Sequence, residues 1–199
     1  MRFKDTKYGD LTGKIFIGNI NVSGIGLTSL KGSPKIIING GFDCSYNQLT
    51  SLKCSPHIIR GSFICNNNQL TSLKCSPKEV TDSFICYDNH LISLEGAPTE
   101  VGGGFFCGKN KLTSFEHSPK IVGGNFNASD NQLTTTKDAP DEIGGIFRCS
   151  HNPNPHLETE YKIRKENPDL SDEDFAMKMY NETDDTNYLP QEVIDAFIF

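Results

Sequence analysis

The chain has no tryptophan, only three methionines and no continuous apolar run approaching 18 residues. The last absence excludes a membrane-spanning helix, which needs about 20 apolar residues. The start, MRFKDTKYGDL, has no apolar segment of the kind a secretory leader carries, so none is expected. A basic surplus is also missing. Residues 1–152 hold 15 Lys+Arg against 13 Asp+Glu, and residues 153–199 hold 4 against 12. Neither part carries the basic footprint that nucleic-acid binding requires, so no nucleic-acid partner is expected. The seven cysteines lack the irregular spacing of a secreted disulfide framework. They read as small buried hydrophobes in a reducing compartment, so a cytoplasmic location is expected and the sequons at Asn21, Asn127 and Asn181 should stay bare.

What the chain does have is a repeat. QLTSLKCSP occurs letter for letter at 48–56 and 69–77. Phenylalanine stands at Phe42, Phe63, Phe84, Phe105, Phe126 and Phe147, 21 residues apart. Two residues on stand Cys44, Cys65, Cys86, Cys107, Ala128 and Cys149, and five on stand Asn47, Asn68, Asn89, Asn110, Asn131 and Asn152. Leucines follow at Leu49, Leu70, Leu91, Leu112 and Leu133, then at Leu52, Leu73 and Leu94, with Phe115 and Thr136 replacing leucine. Pro56, Pro77, Pro98, Pro119 and Pro140 come next, and then Ile59, Val80, Val101, Val122 and Ile143. Columns that hold phase in this way mark a solenoid. A worn copy precedes them in Ile20, Val22, Leu27, Leu30, Pro34 and Ile37. Its spacing of 22 residues to the next copy implies one added residue, and a bulge near Ile36–Ile38 accommodates it.

In F-x-C, a period of two puts Phe and Cys on one side and their neighbours on the other, which predicts a short strand. The Asn that follows must satisfy both its carbonyl and its amide if buried, so stacked Asn side chains should bridge adjacent coils. The proline after L-x-x-L blocks a regular helix, so the return path should be extended or a 3₁₀ turn. Glycine pairs such as Gly123-Gly124 give a tight approach to the next strand. Three parts follow: an N-terminal cap at 1–19 with an edge strand at Ile15–Ile17, a solenoid of about seven coils at 20–152, and an acidic helical segment at 153–199. In the last, helices are predicted over about 155–166, after Ser171 with a capping box to Asp174, and after Pro190 with Val193, Ile194 and Phe197. They either cap the open end of the array or form an acidic partner-binding module.

The unit F-x-C-x-x-N-x-L-x-x-L resembles the leucine-rich-repeat core L-x-L-x-x-N-x-L, with Phe and Cys in place of the two strand leucines. Its shortness and its proline resemble the bacterial subclass found in secreted effectors, and the N-Q-L-T-S-L-K-x-x-P form is similar to arrays in predicted proteins of large tailed bacteriophages. The resemblance covers residues 20–152. It implies a β-rich solenoid with a parallel sheet on a concave face, few helices in the array and a small α-helical C-terminal cap. Some effectors of that subclass carry a ubiquitin-ligase domain with a catalytic cysteine, but here the last cysteine is Cys149.

Candidate chemistry is sparse. Cys54 and Cys75 share a column in adjacent coils, where they are inert thiols, a disulfide or two ligands of an incomplete metal site. His57, His90, His117, His151 and His156 show neither an i, i+4 pair nor a carboxylate at a motif spacing. Gly102-Gly103-Gly104 lacks the Lys-Ser/Thr of a phosphate loop. No catalytic group, metal or cofactor is therefore expected. The positions after Phe are more informative: Asp43, Ile64, Ile85, Phe106, Asn127 and Arg148. With Tyr87 beside them, Ile64, Ile85 and Phe106 should form an outward apolar patch of roughly 300–400 Å². Asp43, Asn66, Asp88, Lys109, Asn127 and Arg148 would be its polar rim. This strip is either a partner site or a β-ladder that only stabilises exposed strands. The reading that follows is a non-enzymatic protein–protein interaction module, in the phage-like case a host-directed inhibitor or adaptor acting in the host cytoplasm. The chain would be a monomer or weakly self-associating. The alternatives are a structural or self-associating solenoid component and an enzyme of unidentified activity.

Overall fold

A computed structural model of the chain describes residues 1–188. Fourteen short strands alternate along it: β1 (Ile15–Ile17), β2 (Ile20–Asn21), β3 (Ile36–Ile38), β4 (Phe42–Asp43), β5 (Ile58–Ile59), β6 (Phe63–Ile64), β7 (Glu79–Val80), β8 (Phe84–Ile85), β9 (Glu100–Val101), β10 (Phe105–Phe106), β11 (Ile121–Val122), β12 (Phe126–Asn127), β13 (Glu142–Ile143) and β14 (Phe147–Arg148). The odd strands form one seven-stranded sheet and the even strands another, with parallel pairing wherever neighbouring strands meet. The fold is therefore a parallel β-solenoid of six complete turns of about 21 residues. The even sheet is the predicted F-x-C strand. The return path is extended, as expected, and pairs from coil to coil as the odd sheet. Each coil gives it only one inward aliphatic, such as Ile59 or Val80, and so shows no alternation to read.

The core is a stack of like residues. Phe42, Phe63, Phe84, Phe105 and Phe126 are fully buried, and successive rings lie 5.2–6.1 Å apart. Such pairs add about 0.5–1.5 kcal/mol beyond their area. The strand cysteines and both leucine columns fill the remainder of each coil. The worn first copy joins them, since Ile20, Val22, Leu27, Leu30 and Ile37 are all buried. Its added residue falls between Ile37 and Phe42, where Asn39 takes φ +54°. Asparagine tolerates this left-handed backbone, so the bulge leaves both strand registers intact.

Polar columns set the register. Asn68 donates from Nδ2 to the carbonyls of Cys44, Cys65 and Asn66 at 3.1–3.2 Å, and its Oδ1 accepts the Leu49 N–H at 2.9 Å. Asn47, Asn89, Asn110, Asn131 and Asn152 repeat this pattern. Serines at the far corner do the same, with Ser76 Oγ on the Gly96 carbonyl at 2.6 Å. The glycine stack has a steric cause. A Cβ on Gly123 would lie 2.1 Å from the Gly102 carbonyl oxygen of the coil below.

Both ends are closed by aromatic residues. Phe3, on a 3₁₀ turn at Phe3–Asp5, stacks on Phe42 at 5.9 Å, and Tyr8 stacks on Phe3. At the other end α1 (Leu157–Glu166) lays Tyr161 on Phe147 at 4.1 Å. Glu158 accepts the Cys149 N–H at 2.9 Å. Buried Glu160 accepts from the Thr135 hydroxyl, the Thr136 hydroxyl and the Thr136 N–H at 2.7–3.1 Å. Thr136, which breaks the leucine column, is thus the seat of the cap. α2 (Asp172–Thr183) starts at Ser171, whose Oγ accepts the Asp174 N–H at 3.1 Å, and it packs Phe175 and Met179 on Ile163. The helices cap the array. The helix predicted after Pro190 lies outside the described residues.

Asn89→Ala should destabilise the protein by about 1–3 kcal/mol, because the Leu70 N–H and three carbonyls lose a buried partner. Asn89→Asp keeps the acceptor but turns a second oxygen toward those carbonyls. Protonation relieves that repulsion, so the folded-state pKa is raised above the ordinary value of about 3.9. The variant should therefore lose stability as pH rises from 4 to 7, unlike the wild type. Urea unfolding midpoints at both pH values check this, and a pH-independent Asn89→Asp would contradict the assigned bonds.

Candidate functional site

The second residue of each even strand points away from the core. Strand pairing puts Asp43, Ile64, Ile85, Phe106, Asn127 and Arg148 in one continuous row across six coils. The three apolar members are adjacent, as predicted. Each is half-buried, and so is Tyr87. The exposed patch is therefore smaller than the expected 300–400 Å². The cause is close coil spacing, about 4.8 Å, which makes neighbouring side chains cover one another's flanks.

The rim divides into two kinds of residue. Asp43 accepts from the Ser45 N–H and Oγ at 3.0 and 2.6 Å, and Asn127 accepts the Ser129 N–H at 2.9 Å. Both close local turns, and the second carboxylate oxygen of Asp43 accepts from Asn21 Nδ2 at 3.5 Å. Asp88 accepts from Asn67 Nδ2, and Lys109 and Arg148 are exposed. Asn66 is buried and donates to Asn67 Oδ1 at 2.6 Å, so it is not part of an open rim as expected. The residues one place further on adopt a left-handed backbone, with Tyr46, Asn67, Asp88, Lys109, Asp130 and His151 at φ +51° to +58°. That repeated turn ends each strand and delivers the ladder Asn inward. It holds Asp88 and Lys109 at the edge of the strip.

Tyr87 organises the surface around it. Burial, together with the Tyr46 hydroxyl, pushes its phenol above the ordinary range. On its other side Gly108 leaves a gap in a column otherwise filled by side chains. The resulting hollow of about 250 Å³ is lined by Tyr87, Phe106, Gly108, Lys109, Asn127, Ser129 and Asp130. A second hollow of about 430 Å³ reaches Ile64 from Asn21, Asp43, Ser62 and Asp82. Ile85 lies between the two. Sequence reading missed Gly108, Ser129 and Asp130 as site residues, although a glycine among larger residues in its column is a visible signal.

The remaining candidates are dispersed. Cys54 and Cys75 are exposed free thiols at left-handed turns, φ +70° and +68°. The five strand cysteines are buried, and burial pushes their thiols far above the ordinary range. Three histidines meet carboxylates, none of them at a motif spacing: His151 Nδ1 lies 3.2 Å from Asp130 Oδ1, His156 Nε2 3.5 Å from Asp185 and His117 Nε2 3.4 Å from Glu116. The first pair is 21 residues apart, so coil stacking rather than a local motif creates it. Among the described residues no group of three or more His, Cys, Asp or Glu is close enough to hold a metal ion. No helix among them is long and apolar enough to cross a membrane. No protein-family model, curated protein or solved structure matches the chain.

Thiol titration checks the two classes of cysteine. At pH 8 Cys54 and Cys75 should react with a bulky aromatic disulfide reagent within minutes, and the five buried thiols only after denaturation. Fast reaction of Cys65 or Cys86 in the native protein would contradict the packed column.

Proposed function

We propose that the chain is a non-enzymatic recognition module that binds a protein partner along the outer face of the even sheet. The observation that carries this reading is the in-register row Ile64, Ile85 and Phe106, with Tyr87 alongside and a hollow at each end. Apolar anchors inside a polar rim are the usual layout of a binding hot spot. A partner segment laid across the coils would place apolar side chains on Ile85 and in the two hollows. Asp43, Asp88, Lys109, Asn127 and Arg148 would meet its polar groups. The left-handed turns at Asp88 and Lys109 fix that rim without any conformational change.

The likeness of the unit to short leucine-rich repeats of bacterial and bacteriophage type supports the same reading, because such arrays serve as recognition scaffolds. A host-directed inhibitor or adaptor acting in the cytoplasm is the finer form of the proposal. A self-associating solenoid is the second reading, and the open edge at β1 favours it.

The test compares wild type, the triple variant Ile64→Ser/Ile85→Ser/Phe106→Ser, and a control Ile58→Ser/Ile121→Ser on the odd sheet. Each is used as bait in extract from the native cell, and bound proteins are identified by mass spectrometry. A partner kept by wild type and control should be lost by the triple variant, at least about 100-fold in affinity once purified. Equal recovery with the triple variant, with circular dichroism unchanged, would reduce the strip to a β-ladder.

A further inference from the structure

The four sheet edges are not equivalent. At β2 the Asn21 N–H is taken by the Tyr8 hydroxyl at 3.1 Å. Beyond β14 the chain is covered by Glu158 and Tyr161. At β13 the neighbouring Pro140 and Asp141 carbonyls accept from Tyr161 and Lys165 of α1. β1 has no such cover among the described residues. Lys14 O accepts from Lys35 N–H and Ile36 N–H, and Gly18 N–H donates to Ile38 O. With the register Ile15↔Ile36, Phe16↔Ile37 and Ile17↔Ile38, residues 14, 16 and 18 therefore direct their backbone groups to β3. Ile15 and Ile17 direct theirs outward. Their side chains are also open, at 62% and 70% exposure.

We propose that β1 is a pairing edge for a second copy of this chain, joined antiparallel about a two-fold axis through Phe16. The register arithmetic carries the choice of occupant. With Phe16 opposite Phe16 of the other copy, Ile15 falls opposite Ile17 and Ile17 opposite Ile15. These are the residues whose N–H and C=O face outward, so each pair exchanges two bonds and the junction makes four. Phe16 occupies the non-bonded position, which leaves its own bonds to β3 untouched. Side chains directly opposite share a face, so four isoleucines meet on the outer surface. Lys14 falls opposite Gly18, which carries no side chain and no charge, so the two copies avoid a like-charge contact. One register shift in either direction would place inward-bonded residues opposite outward ones and lose the bonds.

The geometry also limits the assembly. Open-ended stacking needs a second free edge at the far end, and there α1 is tied to Pro140 and Asp141. The product is a closed pair rather than a fibre. Two three-residue strands bury far less than the ~1,200 Å² of a stable interface, so association should be weak, with Kd in the range of about 0.1–1 mM. The partner strip lies on the other sheet and stays free in the pair, so this proposal stands apart from the recognition reading.

Sedimentation equilibrium from about 10 µM to about 1 mM, together with amide exchange of Ile15 and Ile17 at both ends of that range, tests the pairing. Wild type should pass from monomer to dimer, with those two amides protected only at high concentration. Ile17→Pro removes an outward N–H without touching the β3 bonds and should weaken the dimer at least about tenfold. Ile17→Thr keeps the N–H and should stay within about threefold. A wild type that remains monomeric throughout would overturn the proposal. So would a dimer in which both amides exchange freely, an open-ended series of oligomers, or a folded Ile17→Pro that dimerises like wild type. The wild-type amides decide the matter even where Ile17→Pro fails to fold.

Discussion

The structure depends on one interaction, the buried asparagine that ties each coil to the one before it. A coil of 21 residues has too little apolar surface to fold alone, so its stability lies in contact with its neighbours. Hydrophobic stacking supplies the attraction but tolerates sliding. The Asn side chain does not. It holds carbonyls of its own coil and of the preceding coil with one nitrogen, and takes the N–H of a leucine in that preceding coil with one oxygen. A coil displaced by one residue would leave a donor and two acceptors buried without partners, at about 1–3 kcal/mol for each group. The ladder thus fixes the register that keeps Phe on Phe and Cys on Cys. It also sets the outward residues in rows.

That register makes the surface interpretable. A substitution in one coil always lies beside the equivalent position in the next, so three apolar choices at one column produce a strip. A glycine in the adjacent column produces a hollow. The ends obey the same logic. Phe3 and Tyr161 continue the aromatic stack with residues from outside the repeat, and Glu160 takes the buried polar groups that the last full coil would otherwise offer to a successor. β1 continues the odd sheet by one strand and, among the described residues, receives no cover.

Much of this was legible in the sequence because the repeat is nearly perfect. Seven columns in phase specify stacking, inward Phe and Cys, and a structural Asn. The proline column excludes helices. The odd sheet was hidden because two-residue strands carry no alternation. The left-handed turns were hidden because Tyr46, Cys54 and Lys109 are residue types that rarely adopt φ near +50° to +70°. There the inter-coil bonds override local preference. Of the site, the strip was legible from alternation. The hollow beside Tyr87 was not, since it depends on how far one side chain reaches over the gap at Gly108. The contact of His151 with Asp130 was not read, because no repeated column carries it. Residues 21 apart become neighbours only when the coils are stacked.

The ladder asparagines hold the leucine amides of the preceding coil in bonds that should open only when coils separate. Native-state hydrogen exchange of the Leu49, Leu70, Leu91 and Leu112 amides measures this directly. These four should exchange among the slowest in the chain, with opening free energies close to that of global unfolding. Exchange as fast as that of the exposed turn amides would contradict it, and would mean that hydrophobic stacking alone sets the register.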